Sequence, residues 1–304
     1  MSTYNSNRFW YNNNAMTSRT KGITSIIISA FGFALMAMFV RLCDNYGNSI
    51  SSFQKSFFRN IIAFIIATFV FFKTNQPNQA SLTSLNLKTT SLLLCRCIAG
   101  CIGIFANFYA LSKIPIAEAM ALNKTAPFFT VLFSWLFLKE HPKPRQLLAI
   151  LIAFIGVLLV MKPLFSINDT FAFSCALIGG LGAGIAYTCL RKLGVYKLNS
   201  AFIVLFFSAF STLASVPFII TRFDPMTSIQ IIMMLGAGIG AAIGQFGITM
   251  AYRFAQPRQV AVYDYSNIIF TALLGFVLFN QIPDWLSITG FATIIIAAIY
   301  ANSK

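Results

Sequence analysis

Residues 228–252 read SIQIIMMLGAGIGAAIGQFGITMAY and contain no charged side chain. A helix that crosses the hydrocarbon core of a bilayer needs about 20 mostly apolar residues, because each residue adds about 1.5 Å. Similar runs recur along the chain, separated by charged, proline-containing or asparagine-rich segments. They span residues 22–40, 53–72, 89–111, 115–138, 146–161, 172–190, 199–220, 228–252, 259–279 and 287–301. The sequence therefore predicts an all-α integral membrane protein with ten transmembrane helices.

The composition supports this interpretation. Of the 304 residues 58% are hydrophobic and 10% are charged, whereas soluble domains carry roughly 25% charged residues. A mean hydropathy of +0.76 leaves too few polar side chains to cover the surface of a soluble protein of this size. An ordinary soluble protein is therefore excluded, and the lipid bilayer is the expected surrounding.

The basic residues define an orientation. The net charge is +15, and 14 of the 22 Lys and Arg residues fall in the segments on the N-terminal side of the predicted spans. Cytoplasmic loops of membrane proteins are enriched in Lys and Arg, so we expect both termini in the cytoplasm and the protein in the cell (inner or plasma) membrane. Because this topology accounts for the excess charge, we expect no nucleic-acid partner.

Several other functions lack their sequence signatures. Six cysteines are scattered, mostly in apolar runs, and the single histidine, His141, lies in a loop, so we expect no metal site and no cofactor. No phosphate-binding motif of the Walker type occurs, which excludes ATP hydrolysis by the chain. Residues 1–21 are polar and asparagine-rich, so we expect a disordered N-terminal segment rather than a cleavable signal.

The chain also matches itself at an offset of 141 to 150 residues. The match places Gly32 over Gly182, Arg41 over Arg191 and Pro142 over Pro283, among others. Each half then holds five spans, and an odd number forces the second half to enter the membrane from the other side. We therefore predict two inverted five-helix repeats, at residues 22–162 and 172–302, of the kind found in alternating-access transporters.

Longer motifs resemble a known family. The segments concerned are FFRNIIAF (57–64), ANFYALSKIPIAEAMALNKTAPFFTVLFSWLFLKE (106–140), IAFIGVLLV (152–160) and AYRFAQPRQVAVYDYSNIIFTALLGFVLFNQIPDWLSITG (251–290). Together they resemble the EamA group of the drug/metabolite transporter superfamily, and the last is most similar to the branch of S-adenosylmethionine and amino-acid-like carriers. The second copy departs from the pattern, with Ile268 at the counterpart of Pro127 and Gln281 at the counterpart of Glu140.

Charged residues inside spans are the strongest functional candidates, because each costs free energy in a bilayer. Lys124 and Asp264 occupy nearly equivalent positions near the middle of spans 4 and 9. They either form an ion pair between the halves or bind the charged ends of a zwitterionic solute, and we favour solute binding. Arg96 either contributes to the same site or extends to the membrane surface. Uncharged candidates for the site are Asn123, Tyr109, Tyr187 and Tyr265.

Two further charged residues have alternative interpretations. Glu118 lies about one turn into span 4, where it either couples transport to protons, together with Asp264, or pairs with Lys113 at the rim. Arg59 is interpreted as a structural contact between helices, with a functional role as the alternative.

These features predict a secondary transporter, not an enzyme, for a small polar metabolite that is amino-acid-like or S-adenosylmethionine-like. The resemblance implies alternating access at a midplane cavity between the repeats. A flippase for a lipid-linked headgroup is the first alternative, and a membrane-embedded lipid-modifying enzyme is a weaker one. Besides the solute and lipid, a second copy of the chain is a candidate partner in a homodimer.

Overall fold

The computed structural model describes residues 3–48, 50–73, 85–114, 116–163 and 169–302, and within these ranges the chain is almost entirely helical. The helices are α1 (Thr3–Asn45), α2 (Ser52–Lys73), α3 (Leu87–Lys113), α4 (Ile116–Asn123), α5 (Ala126–Leu138), α6 (Pro144–Met161), α7 (Thr170–Val195), α8 (Ser200–Thr221), α9 (Ser228–Phe254), α10 (Pro257–Val260), α11 (Ser266–Phe279) and α12 (Trp285–Asn302). A 3₁₀ segment, Ala261–Tyr265, joins α10 to α11.

The described helices form the predicted spans. Nine segments in the described ranges are long and apolar enough to cross a membrane, and the shorter apolar helix Trp285–Ala301 lies where the tenth is predicted. Span 4 consists of α4 and α5, and span 9 consists of α10, the 3₁₀ segment and α11. Many large apolar side chains, such as Phe69, Phe137 and Ile220, point outward, as a lipid-facing surface requires. The prediction of an all-α multi-pass membrane protein is confirmed.

Span 1 begins and span 10 ends on one face of the bundle. Arg19 donates a hydrogen bond from Nη2 to the carbonyl oxygen of Ala301 over 3.3 Å. We call this the terminal face. On the opposite face, Lys162 forms an ion pair with Asp284. The two faces therefore correspond to the two membrane surfaces.

Spans from the two halves pack against each other in a reciprocal pattern. Span 1 packs along span 8 and span 3 along span 6, while span 2 packs along span 7 and span 5 along span 10. Glycines permit the first two contacts, since a Cβ on Gly32 would lie 2.6 Å from the nitrogen of Gly244, and one on Gly182 would lie 3.0 Å from Cα of Gly103. Such close backbone approach is typical of helix packing in membranes. Span 1 corresponds to span 6 and span 3 to span 8, and so on along the two halves. When each span is replaced by its counterpart, the same set of contacts results.

Spans 4 and 9 are both interrupted near the middle. The interruption in span 4 follows Asn123, and Thr125 donates from its hydroxyl to the carbonyl oxygen of Leu122 over 2.6 Å. In span 9, Ser266 makes the same bond to Tyr263 over 2.7 Å. A hydroxyl that bonds a backbone carbonyl competes with the regular helical ladder. Both bonds lie at positions equivalent under the 141-residue offset, so the interruption does not require Pro127, whose counterpart in span 9 is Ile268.

The N-terminal segment differs from its prediction. The sequence predicts disorder over residues 1–21, whereas α1 begins at Thr3 and continues without a break into span 1. Residues 1 and 2 lie outside the described residues. Extending a helix costs far less free energy than nucleating one, so span 1 provides a nucleus from which a polar segment continues as helix.

Candidate functional site

The acidic residues fall into two groups. Four of the seven form ion pairs near the membrane surfaces: Asp44 with Lys55, Glu140 with Arg191, Asp224 with Arg222 and Asp284 with Lys162. Asp169 accepts a hydrogen bond at the start of α7. Besides Lys55, which pairs with Asp44, five charged residues lie inside the spans: Arg59, Arg96, Glu118, Lys124 and Asp264. None of these five forms an ion pair with any described residue. Charges of this kind inside a membrane mark functional sites.

Lys124 lies at the interruption of span 4. Its ammonium donates a hydrogen bond to Oδ1 of Asn267 over 2.9 Å, and Nδ2 of Asn267 donates to the carbonyl oxygen of Ala30 over 2.9 Å. This chain of hydrogen bonds joins spans 4, 9 and 1. The ion pair with Asp264, which the sequence allows, is not formed. The Lys124 ammonium instead donates its hydrogen bond to Asn267, which lies about one helical turn further along span 9.

Asp264 lies in the 3₁₀ segment of span 9 and is only 8% exposed. No described residue forms a hydrogen bond or ion pair with its carboxylate. Tyr187 and Tyr252 lie within electrostatic range of Asp264, and their rings stack with centroids 5.4 Å apart. Tyr187, a residue predicted for the site, thus stacks on Tyr252, which the sequence does not single out.

Arg96 projects from α3 into the bundle and is 2% exposed. Its Nη2 donates to Oε1 of Gln245 over 2.9 Å, and its guanidinium carbon lies 3.7 Å from the ring centroid of Phe207. Nε of Arg96 is buried and has no hydrogen-bond partner among the described residues. Because Arg96 is held inside the bundle by spans 7 and 8, it does not extend to the membrane surface.

Arg59 lies on α2, on the side of this region closer to the opposite face. Its Nη1 lies 3.2 Å from the sulfur of Met36, and its Nε is buried without a hydrogen-bond partner in the described part of the chain. The next residue, Asn60, donates to the Ser211 hydroxyl over 2.7 Å. A neutral sulfur is a weak acceptor for a guanidinium. The contact with Met36 therefore gives only a weak basis for the interpretation of Arg59 as a structural link between helices.

Glu118 lies in the first turn of α4 and is 1% exposed. Neither carboxylate oxygen has a hydrogen-bond partner among the described residues. Lys113 is exposed at the end of α3, and no ion pair joins the two residues. The rim pair that the sequence allows is not formed, because the Glu118 side chain is directed inward while Lys113 remains at the surface.

The remaining candidates are distributed more widely. A Cβ on Gly179 would lie 2.9 Å from Nδ2 of Asn123, which places Asn123 between spans 4 and 6. Tyr265 is fully buried in the apolar core that spans 4, 5, 9 and 10 share. Tyr109 is 38% exposed, and its ring meets that of Phe171 edge-on. Tyr265 directly follows Asp264 in the 3₁₀ segment but has its ring in this apolar core, whereas Tyr109 lies apart beside Phe171.

Two pairs with the same geometry lie at the ends of spans 4 and 9. On the terminal face, Nε of Arg191 donates to Oε1 of Glu140 over 2.8 Å. On the opposite face, Nη1 of Arg41 donates to Oε1 of Gln281 over 3.2 Å. We call these the terminal-face corner and the opposite-face corner. Both link the end of an interrupted span to a span of the other half.

The corner pairs and Tyr252 are functional candidates that the sequence interpretation missed. A signal for the corners was present, because the self-comparison places Arg41 over Arg191 and Gln281 over Glu140. Combining the two matches would have predicted two equivalent pairs. No comparable sequence signal singles out Tyr252, because its stacking on Tyr187 arises only when spans 6 and 8 pack together.

Comparison with known proteins gives a consistent result. The model of the EamA-like transporter family matches residues 20–162. The Pseudopaline exporter CntI of Pseudomonas aeruginosa (strain UCBPP-PA14) is 28% identical over 280 residues, covering 91% of this chain and 94% of that protein. An uncharacterized transporter of Helicobacter pylori (strain ATCC 700392 / 26695) is 27% identical, covering 91% of this chain and 93% of that protein.

More distant relatives extend this similarity. Solute carrier family 35 member G1 of Homo sapiens is 22% identical over 300 residues, covering 92% of this chain and 78% of that protein. One solved crystal structure matches with a TM-score of 0.76 at 16% identity, covering 94% of this chain and 97% of the other. At this identity the structural match shows a shared fold. The similarity to named transporters extends over nearly the whole chain.

Proposed function

We propose that the chain belongs to the EamA-like transporter family, whose model matches residues 20–162, and that it carries a small polar organic metabolite across the membrane by alternating access. It is a multi-pass membrane transporter and not an enzyme, which removes the lipid-modifying enzyme from the alternatives. The proposed solute is amino-acid-like or S-adenosylmethionine-like. The printed name of one relative, an exporter of pseudopaline, is consistent with an organic metabolite as the cargo.

The observation that carries this proposal is the pair of interrupted spans. An interrupted helix within a membrane leaves backbone groups outside the helical ladder, and such groups are tolerated where they are buried in protein or form a binding cavity. Each interruption also presents a polar side chain, Lys124 in span 4 and Asp264 in span 9. These groups are suited to bind the carboxylate and the ammonium of a zwitterion, respectively.

We further propose that residues 22–162 and 172–302 are inverted repeats that rock against each other. The reciprocal packing of spans 1 and 8 and of spans 3 and 6 supports this division. The equivalent hydroxyl bonds of Thr125 and Ser266 support it as well. We place the terminal face in the cytoplasm of the cell, in agreement with its excess of Lys and Arg.

Proton coupling is assigned to Glu118 and Asp264 in this proposal. Both are nearly fully buried, and no described residue pairs with either carboxylate. A carboxyl group without a protein partner can bind a proton in one state of the cycle and a solute cation in another. The proposal therefore predicts that transport depends on a pH gradient and that Glu118→Gln removes this dependence.

A flippase remains the second candidate because of a lateral cleft. The cleft measures about 560 Å³, lies between spans 1, 9 and 10, and opens beside the 3₁₀ segment. Its walls are mostly apolar and include Ile27, Tyr263, Phe270 and Ile294. A cleft of this kind could admit a lipid tail while the headgroup approaches the centre of the bundle.

Counterflow in proteoliposomes tests the proposal. Vesicles loaded with amino acids, sulfonium nucleosides or unrelated drugs should take up the matching labelled solute faster than empty vesicles. Asp264→Asn should abolish uptake while the protein still elutes as a single species, and Arg222→Gln in an exposed loop is the matched control. If no soluble solute exchanges while a fluorescent lipid crosses, the flippase interpretation replaces the proposed one.

A further inference from the structure

We propose that the solute carries a net negative charge and that Arg59 and Arg96 bind its carboxylate or phosphate oxygens. This inference rests on the proposed transport function and specifies the class of solute. The sequence interpretation assigns Arg59 to structure and gives the solute no net charge. The structure instead shows two arginines inside the bundle that have no acidic partner among the described residues.

The first argument is the state of the Arg96 guanidinium. Five N–H groups need acceptors, and the described protein supplies one side-chain acceptor, Oε1 of Gln245. The face of the group is occupied by Phe207 at 3.7 Å, and Nε is buried without a partner. A buried guanidinium with unpaired donors is costly unless an acceptor arrives. An oxyanion supplies two acceptors in the fork geometry that arginine prefers.

The second argument is the proximity of Arg59. Its only hydrogen-bond acceptor among the described residues is the sulfur of Met36, and its Nε is also buried and unpaired. Asn60, the residue after Arg59, bonds Ser211 of α8, which lies one helical turn from Phe207, the residue that the Arg96 guanidinium contacts. The two side chains therefore approach one region from opposite membrane faces. Two cations in one region of the bundle, neither in an ion pair with a described residue, indicate a site for an anion.

The third argument is the total charge within the spans. Three cations, Arg59, Arg96 and Lys124, are opposed by two carboxylates, Glu118 and Asp264, and all seven acids of the chain lie in the described ranges. No ion pair joins Glu118 or Asp264 to either arginine among the described residues. The Arg59–Arg96 region thus keeps an excess positive charge that an anionic solute neutralises.

Transport of defined probes tests this inference. Purified full-length protein in phosphatidylcholine vesicles is assayed for uptake of labelled glutamate, citrate, inorganic phosphate, glutamine and lysine, and for the crossing of fluorescent phosphatidylglycerol. We expect uptake either of glutamate and citrate or of inorganic phosphate. Which of these is taken up shows whether the site binds carboxylate or phosphate oxygens. Arg59→Gln and Arg96→Gln should each raise the half-saturating concentration about tenfold or more.

Charge-preserving variants separate binding from folding. Arg59→Lys and Arg96→Lys retain the positive charge and should retain the preference for anions with weaker binding, whereas the Gln variants lose that preference. Arg222→Gln removes one positive charge in an exposed loop and should leave uptake unchanged. If Arg96→Gln fails to fold, Arg59→Gln and the two Lys variants decide the question, because the selectivity between glutamate, glutamine and lysine is measured for each.

Each outcome has a defined meaning. Uptake of lysine or glutamine without uptake of any anion overturns the inference and leaves the transport function intact. Anion uptake that is unchanged in both Gln variants also overturns it. If no probe moves at all, the proposed function fails together with the inference. If only phosphatidylglycerol crosses and the arginine variants block it, the proposed function fails while the anion site stands, with a lipid headgroup as its ligand.

Discussion

The terminal-face and opposite-face corners share a backbone geometry but differ in charge. Span 4 ends with Lys139 at φ 57°, and span 9 ends with Asn280 at φ 50°, so both chains leave the helix through a left-handed residue. In each case the following residue donates a hydrogen bond from its backbone N–H to the carbonyl oxygen of the residue six positions earlier. Glu140 bonds Ser134 in this way, and Gln281 bonds Gly275. The two corners are therefore equivalent in fold.

Their side chains are not equivalent. Glu140 and Arg191 form an ion pair whose side chains are 11% and 14% exposed, whereas the Arg41–Gln281 bond joins a cation to a neutral acceptor in an exposed setting. Hydrogen bonds between two charged groups are stronger than those with one, and partial burial strengthens them further. The difference indicates that the fold requires the backbone conformation of the corner. The charges determine how strong the side-chain contact at each corner is.

The largest expected effect comes from breaking the terminal-face corner. Arg191→Ala leaves the Glu140 carboxylate largely buried without its ionic partner, which should lower the free energy of unfolding by about 2 kcal/mol. Thermal unfolding of the purified protein measures this loss. Exchanging the two residues, as Arg191→Glu with Glu140→Arg, should recover most of it, and a double variant as unstable as the single one would contradict the ion-pair interpretation.

Making the corners alike should have an intermediate effect. Glu140→Gln gives the terminal-face corner the same Arg–Gln contact as the opposite-face corner. It should lower the free energy of unfolding by about 1 kcal/mol, because the hydrogen bond then has only one charged partner. Hydrogen exchange should then rise around residues 196–199 on the terminal face. Gln281→Glu should add less than about 1 kcal/mol, because exposed ion pairs are weak. Equal and opposite changes at the two corners would show that burial does not distinguish them.

The left-handed residues should respond unequally to glycine. Lysine in this conformation is strained, whereas asparagine tolerates it. Lys139→Gly should therefore stabilise the protein by about 0.5 kcal/mol, and Asn280→Gly should change it little, since glycine also gains freedom in the unfolded chain. Melting temperatures of the two variants provide the measurement, with Lys143→Gly outside the corner as a control that should gain nothing.

The smallest effect concerns the ion pair beside the opposite-face corner. Hydrogen bonds from Lys162 and Ser287 lower the pKa of Asp284 to about 2 from its ordinary 3.8. A lowered folded-state pKa contributes stability above pH 4 that is lost as the pH falls toward 2. Because Asp284 is exposed, Asp284→Asn should change the melting temperature only slightly at pH 7 and should flatten its decline below pH 4. A large loss at pH 7 would contradict the weak role assigned to this pair.

Much of the architecture followed from sequence patterns. The apolar runs predicted spans that the described helices reproduce, because a bilayer imposes one length and one polarity on every crossing segment. The self-comparison matches Glu140 with Gln281 and Arg41 with Arg191. It does not predict the bonds from the arginines to these residues, because each bond joins different halves. The alternatives for Lys124 and Glu118 also remained open, since the partner of a side chain depends on the angle at which helices meet.

The sequence alone determined the membrane class, the number of predicted spans and the short set of charged residues within them. These properties depend on hydrophobicity and local helix formation, which are encoded within each segment. Only the tertiary structure decided that Lys124 bonds Asn267 and that Arg59 and Arg96 lack acidic partners. Helix packing selects among neighbours that lie more than a hundred residues apart, and hydrophobic periodicity carries no information about that choice.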